Sequence, residues 1–160
     1  MTDQLFDEDP SDYVRYRSYL QDLEGVSEAD EASLLATVLD DPDVSMAEAV
    51  VNRHLERRAA HLLTDPAYIT WAQTFATVIG DRSFLARRLR EWTLLRAIAL
   101  DEPWTAEELT TASDWFQRTA SVVLIVTSPE ALSLLAEQGR TRRVRNAASR
   151  RLQEVRSTPT

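Results

Sequence analysis

The 160 residues contain no cysteine and no lysine, and histidine occurs only at His54 and His61. Without cysteine there are no disulfides, thiolate metal sites, thiol nucleophiles or thiol redox chemistry. Without lysine there is neither a Schiff-base amine nor a P-loop lysine. All 18 basic residues are arginine. Glycine is scarce too: Gly25, Gly80 and Gly139 are the only three. All-β and Rossmann-like chains need many turn and phosphate-loop glycines, so this scarcity argues against both. The longest apolar run, Val122 to Val126, is far short of the ~20 residues that span a bilayer. The acidic start, Met1 to Asp12, lacks the basic and apolar regions of a signal peptide. These features predict a cytoplasmic protein without a membrane span.

The composition is 44% hydrophobic and 28% charged, with 26 acids and a net charge of −8. It predicts one globular domain over residues 1–160, with 1–10 and 157–160 frayed. The punctuation is helical. Ser45-Met46-Ala47-Glu48 and Thr105-Ala106-Glu107-Glu108 read as capping boxes, and Ser27-Glu28-Ala29-Asp30 as a weaker one. Asp65-Pro66 and Ser128-Pro129 place a cap before a proline at the first helical position. Each glycine follows a helical run, where a C′ residue with positive φ is wanted. The chain is therefore read as all-α, with about eight helices in antiparallel hairpins. They are placed near 11–24, 27–40, 45–63, 66–79, 82–101, 105–127, 129–138 and 141–155. Residues 120–126 are taken as part of a helix that is apolar all round, hence central, with Trp115, Phe116 and Val122 to Val126 in the core. Trp104, before the Thr105 cap, is read as a staple onto Leu109.

The last hairpin has a distinctive pattern. Leu132, Leu134 and Leu135 form a stripe, Gly139 stops it, and Val144-Arg145-Asn146-Ala147-Ala148 leads on to Leu152. This run resembles the second helix of a HEAT-type repeat. A second echo lies in Leu34 to Leu55, where Asp40-Asp41-Pro42-Asp43-Val44 forms the turn and Ser45 replaces the family's arginine. The resemblance implies a helical array used as a binding surface rather than for catalysis.

Constellations for chemistry are few. His54 and His61 are about two turns apart on one predicted helix face, with Asp65 four residues beyond. They could form a metal site, and a metal-dependent enzyme using them is one reading. HExxH is absent, however, and Arg57 and Arg58 would repel a cation. The simpler reading is two surface or boundary histidines flanking an apolar stripe. Asp40, Asp41 and Asp43 lack the glycine of a Ca²⁺ loop and read as turn and cap chemistry. No catalytic residues, cofactor or metal ligands are therefore assigned.

Charge is more informative. Residues 1–50 hold 14 acids and two arginines, whereas 139–156 hold seven arginines and one glutamate. Such asymmetry points to a polar partner. Tyr13, Tyr16 and Tyr19 recur at helical spacing beside Arg17, and tyrosine and arginine are favoured at binding hot spots. The candidate partner-binding residues are Tyr13, Tyr16, Arg17, Asp40, Asp41, Asp43, Arg142 and Arg145. The expected function is a non-catalytic protein-binding module whose partner is another protein or a second copy. Two alternatives are an immunity protein or antitoxin masking a basic partner, and a nucleic-acid regulator using the C-terminal arginines. The sequence pI near 4.8 weighs against nucleic acid.

Overall fold

The caps read from the sequence can be checked atom by atom in a computed structural model of the chain, which describes residues 10–158. Among these residues there are nine helices and no strand, so the fold is all-α. The helices are α1 (Pro10–Glu24), α2 (Glu28–Leu39), α3 (Val44–Leu62), α4 (Tyr68–Ile79), α5 (Ser83–Ala99), α6 (Ala106–Thr111), α7 (Asp114–Val122), α8 (Pro129–Gln138) and α9 (Arg142–Ser157). No described helix is long and apolar enough to cross a membrane. Pro10 and Ser157 lie in helices, while residues 1–9, 159 and 160 of the ends expected to fray fall outside the described residues.

The chain divides into two compact units, Met1–Leu89 and Arg90–Thr160, with the boundary inside α5. In the first, α1 packs on α2 and α3, and α2 also packs on α4. Leu35, Val38, Val51, Leu55 and Phe75 are among its buried side chains. In the second, α9 packs on α7 and α8, and α8 on α6. Leu109, Phe116, Leu132, Leu135, Val144 and Ala148 are buried there. The two stripes of the last hairpin, Leu132/Leu135 and Val144/Ala148/Leu152, form its buried face.

Ser27, Thr105 and Ser128 cap α2, α6 and α8 as predicted, each accepting a backbone N–H three residues on. At Thr105 the box is reciprocal, because Glu108 accepts the Thr105 N–H at 3.1 Å. Two starts differ. Asp43, not Ser45, caps α3, accepting the Met46 N–H at 3.1 Å. Asp43 is a competent cap two residues upstream, so Ser45 becomes an ordinary helical residue. At α4, Asp65 Oδ1 accepts the Ala67 N–H at 2.8 Å. That local turn precedes the helix, which begins only at Tyr68.

The largest difference concerns 105–127. Instead of one helix there are α6 and α7, broken at Ala112 and Ser113. Ser113 Oγ caps α7 by accepting from the Phe116 N–H. Its own N–H and hydroxyl donate to the buried Glu91 carboxylate at 2.7 and 2.8 Å. A cap held this firmly outcompetes helix continuation. The β-branched run then leaves the helix after Val122. Phe116 and Val126 are in the core as expected, and Trp115 and Val123 are half-buried. Val122, Leu124 and Ile125 are 58%, 79% and 37% exposed, contrary to the core placement.

Only one glycine works through its backbone angle. Gly80 has φ +58°, whereas Gly25 and Gly139 do not have positive φ. Gly139 is needed for space: a Cβ would fall 2.5 Å from the Leu135 carbonyl oxygen and 2.8 Å from Val144 Cγ1. The other left-handed residue is Asp101, at φ 55°. It ends α5 in a Schellman motif, with Glu102 N–H donating to Ala97 O and Asp101 N–H to Ile98 O. An aspartate here does the work for which glycine was sought, since Asp tolerates this region better than most residues.

Candidate functional site

Buried polar residues mark the centre of the first unit. Glu31 lies on the same face of α2 as Leu35, Val38 and Leu39, and His54 on the buried face of α3. A carboxylate among apolar side chains must be paired. Glu31 Oε2 accepts from His54 Nε2 at 2.6 Å and from Arg58 Nε at 3.0 Å. Its Oε1 accepts from Trp71 Nε1 of α4 at 3.1 Å. One carboxylate thus ties α2 to α3 and α4. Arg57 Nη2 donates to His54 Nδ1 at 3.2 Å and to the Leu23 carbonyl at 3.2 Å. Arginine cannot accept, so Nδ1 is the acceptor and the His54 proton resides on Nε2. Burial pushes the Glu31 carboxyl up, but the His54 hydrogen bond and the Arg58 charge outweigh it and hold it below its ordinary value. Both oxygens and both ring nitrogens are engaged within the fold.

This network underlies two adjoining clefts. One, of about 480 Å³, lies between α1 and α3, where Tyr13, Tyr16 and Arg17 face Arg53, His54 and Arg57. The other, of about 300 Å³, is lined by Glu28, Glu31, Arg58 and His61 and shares His54 and Arg57 with the first. Arg17 stacks over the Tyr13 ring at 5.9 Å. Neither Arg17 nor Arg53 has an ion-pair partner among the described residues, and both are exposed. The rim therefore offers two guanidinium groups that have no ion-pair partner among the described residues, beside two phenol rings.

The other candidate residues have separate settings. Asp40 is exposed at the C-cap of α2. Asp41 is buried: it accepts from Tyr19 OH at 2.9 Å, from Arg15 Nη2 at 3.2 Å and from the Asp43 N–H at 2.9 Å. The Asp43 amide, with Tyr19 and Arg15, holds the Asp41 carboxyl below its ordinary value. The hydrogen bond to Asp41 in turn raises Tyr19 above the usual phenol range. Tyr19 thus docks α1 onto the α2–α3 turn, and Asp43 is spent on capping. In the second unit, Arg142 is exposed at the start of α9, and half-buried Arg145 donates to the Gly139 carbonyl at 2.8 Å.

His54 is not the surface or boundary residue that the sequence suggests, because Glu31 accompanies it into the interior. His61 is exposed and lines the second cleft. Among the described residues, no group of three His, Asp or Glu side chains is placed to hold a metal ion. Sequence reasoning missed Glu31, Arg53 and Arg57. Glu31 had a readable signal, four, seven and eight residues before Leu35, Val38 and Leu39 on one helix face. Arg53 and Arg57 had none, since exposed arginines on a helix are ordinary.

No family model matches the chain, no curated protein is significantly similar to it, and no solved structure matches it.

Proposed function

We propose that this chain is a non-catalytic protein-binding module that uses the α1–α3 cleft as its principal docking site. The observation that carries this reading is the convergence of Tyr13, Tyr16 and Arg17 with Arg53 at one concave rim. Tyrosine and arginine provide large contact area and directional donors at low entropic cost, which is why binding energy concentrates on them. The floor beneath is fixed by the Glu31–His54–Arg58–Trp71 bonds, so little ordering is required on association. The pairings of α2 with α3 and of α8 with α9 support a HEAT-like assembly, a type of array that serves as a binding surface. The acid-rich first unit, with 17 acids against eight arginines, would steer the approach of a partner.

The test is affinity capture from the native host with mass spectrometry, comparing the natural chain with Tyr16→Ala/Arg53→Glu. Arg53 is exposed and has no ion-pair partner among the described residues, so circular dichroism and thermal melting should hardly change. A specific co-purifying protein should be lost from the variant. Identical capture by both chains would refute the α1–α3 cleft as the docking site.

A further inference from the structure

The second unit presents a different surface. After α7 the chain turns through residues 123–128 with Val126 fully buried beneath it. Arg151 of α9 holds this turn: its Nη2 donates to the Val126 carbonyl at 2.8 Å, and lies 3.4 and 3.5 Å from those of Leu124 and Val123. Glu154 accepts from the other terminal nitrogen at 3.1 Å and fixes the guanidinium. Leu124 and Ile125 lie outward in this clamped turn beside exposed Val122 at the end of α7, three large apolar side chains within four positions. Isolated apolar residues on a surface are commonplace, but a group of three is not.

Val122 also forms the lip of a cleft of about 330 Å³ between α7 and α9. Trp115, Val144 and Ala147 give it apolar walls, and Arg118 and Arg143 stand at its rim. Among the described residues no carboxylate lines it. Neither arginine has a side-chain partner among the described residues. The surface therefore combines an apolar protrusion, an apolar depression and two positive charges without a side-chain partner among the described residues. A concave cleft is suited to receiving side chains and poorly suited to lying against a flat bilayer.

We propose that this α7–α9 surface binds an acidic amphipathic segment of a partner protein. Its apolar side chains would enter the cleft and cover Leu124 and Ile125, and its carboxylates would pair with Arg118 and Arg143. Charge complementarity selects this occupant, because a basic or neutral segment would leave two desolvated guanidinium groups unpaired. The site is independent of the α1–α3 cleft.

The experiment pans a displayed random-peptide library against the full chain, with Leu124→Asp and Arg118→Glu/Arg143→Glu as counter-selections. All three positions are exposed, and circular dichroism checks that the variants fold. Enriched peptides should pair large apolar residues with an excess of Asp and Glu. Their affinity should fall about tenfold or more in each variant, weaken with added salt, and be unchanged by Arg53→Glu. Enriched peptides without acidic excess, or binding that survives both variants, would overturn the proposal. So would a dimer in sedimentation that Leu124→Asp dissociates, which would make a second copy the occupant. Leu124-dependent binding to phosphatidylserine vesicles without peptide enrichment would overturn it in favour of a membrane.

Discussion

The two units solve the same problem, satisfying buried polar groups, in opposite ways. In the first, side chains bond to side chains from helix to helix: Glu31 to His54, Arg58 and Trp71, and Asp41 to Tyr19 and Arg15. In the second, side chains bond mainly to the backbone, the Ser113 hydroxyl on Glu91 being an exception. Gln117 donates to the carbonyls of Leu109 and Thr110 and accepts the Arg140 N–H. Arg140, Arg145 and Arg151 donate to carbonyls of Ala112, Gly139 and Val126. Helix length explains the difference. Every helix end leaves orphan N–H and C=O groups, and α6, α7 and α8 span only six, nine and ten residues. Short helices multiply ends, so this unit spends its polar side chains on loops. The helices of the first unit run from 12 to 19 residues, leaving its polar side chains free to join one helix to another.

Removing the hub of each system tests that contrast. Glu31→Ala would leave buried His54 and Trp71 and half-buried Arg58 without their shared acceptor, and should cost about 3–5 kcal/mol in urea unfolding. Hydrogen exchange should show the loss first in α2, α3 and α4. Gln117→Ala should cost less, about 2–3 kcal/mol, and raise exchange around residues 109–113 and 140, because backbone groups rather than charges lose their partners. Equal losses in both variants would erase the distinction.

Acid should separate the units next. Glu31 and Asp41 have carboxyl pKa values held below their ordinary range. Their contribution is therefore complete above the unfolded values, about 4, and is lost as pH falls through the lower folded values. Stability followed from pH 6 downward should drop below about pH 4. Glu31→Gln should flatten that drop. The bonds from the Gln117 amide to the Leu109 and Thr110 carbonyls involve no ionisable group, so exchange around 109 and 110 should respond less.

The smallest effects concern glycine. Gly139→Ala should destabilise by about 1–3 kcal/mol, since its Cβ meets a backbone oxygen and a packed valine. Gly25→Ala should be neutral or stabilising by up to about 1 kcal/mol, because the nearest atom is 3.9 Å away and φ is not left-handed. Thermal melting of the two variants compares them directly. A tolerated Gly139→Ala would show that α8 and α9 can move apart.

Legibility followed the range of the interaction. Capping at Ser27, Thr105 and Ser128 was readable because donor and acceptor lie three residues apart. The break at Ser113 was not, because the acceptor that secures it, Glu91, is 22 residues away. Val122, Leu124 and Ile125 read as core on hydrophobicity alone. The turn that carries Leu124 and Ile125 is held by Arg151, from 25 to 28 positions further along the chain. At the candidate site, the tyrosines and Arg17 share a helix face and were visible, whereas Arg53 joins them only through the packing of α1 on α3.

The sequence by itself determined the helical class, most helix starts and the exclusion of thiol and lysine chemistry, since each depends on composition or on groups within one turn of each other. Tertiary structure alone decided which charges are buried and which are free. Asp41, selected as a surface acid, became an internal acceptor, and Glu31 became the hub of the first unit. A charge finds its partner in three dimensions, and where that partner stands decides whether the group supports the fold or remains available to bind.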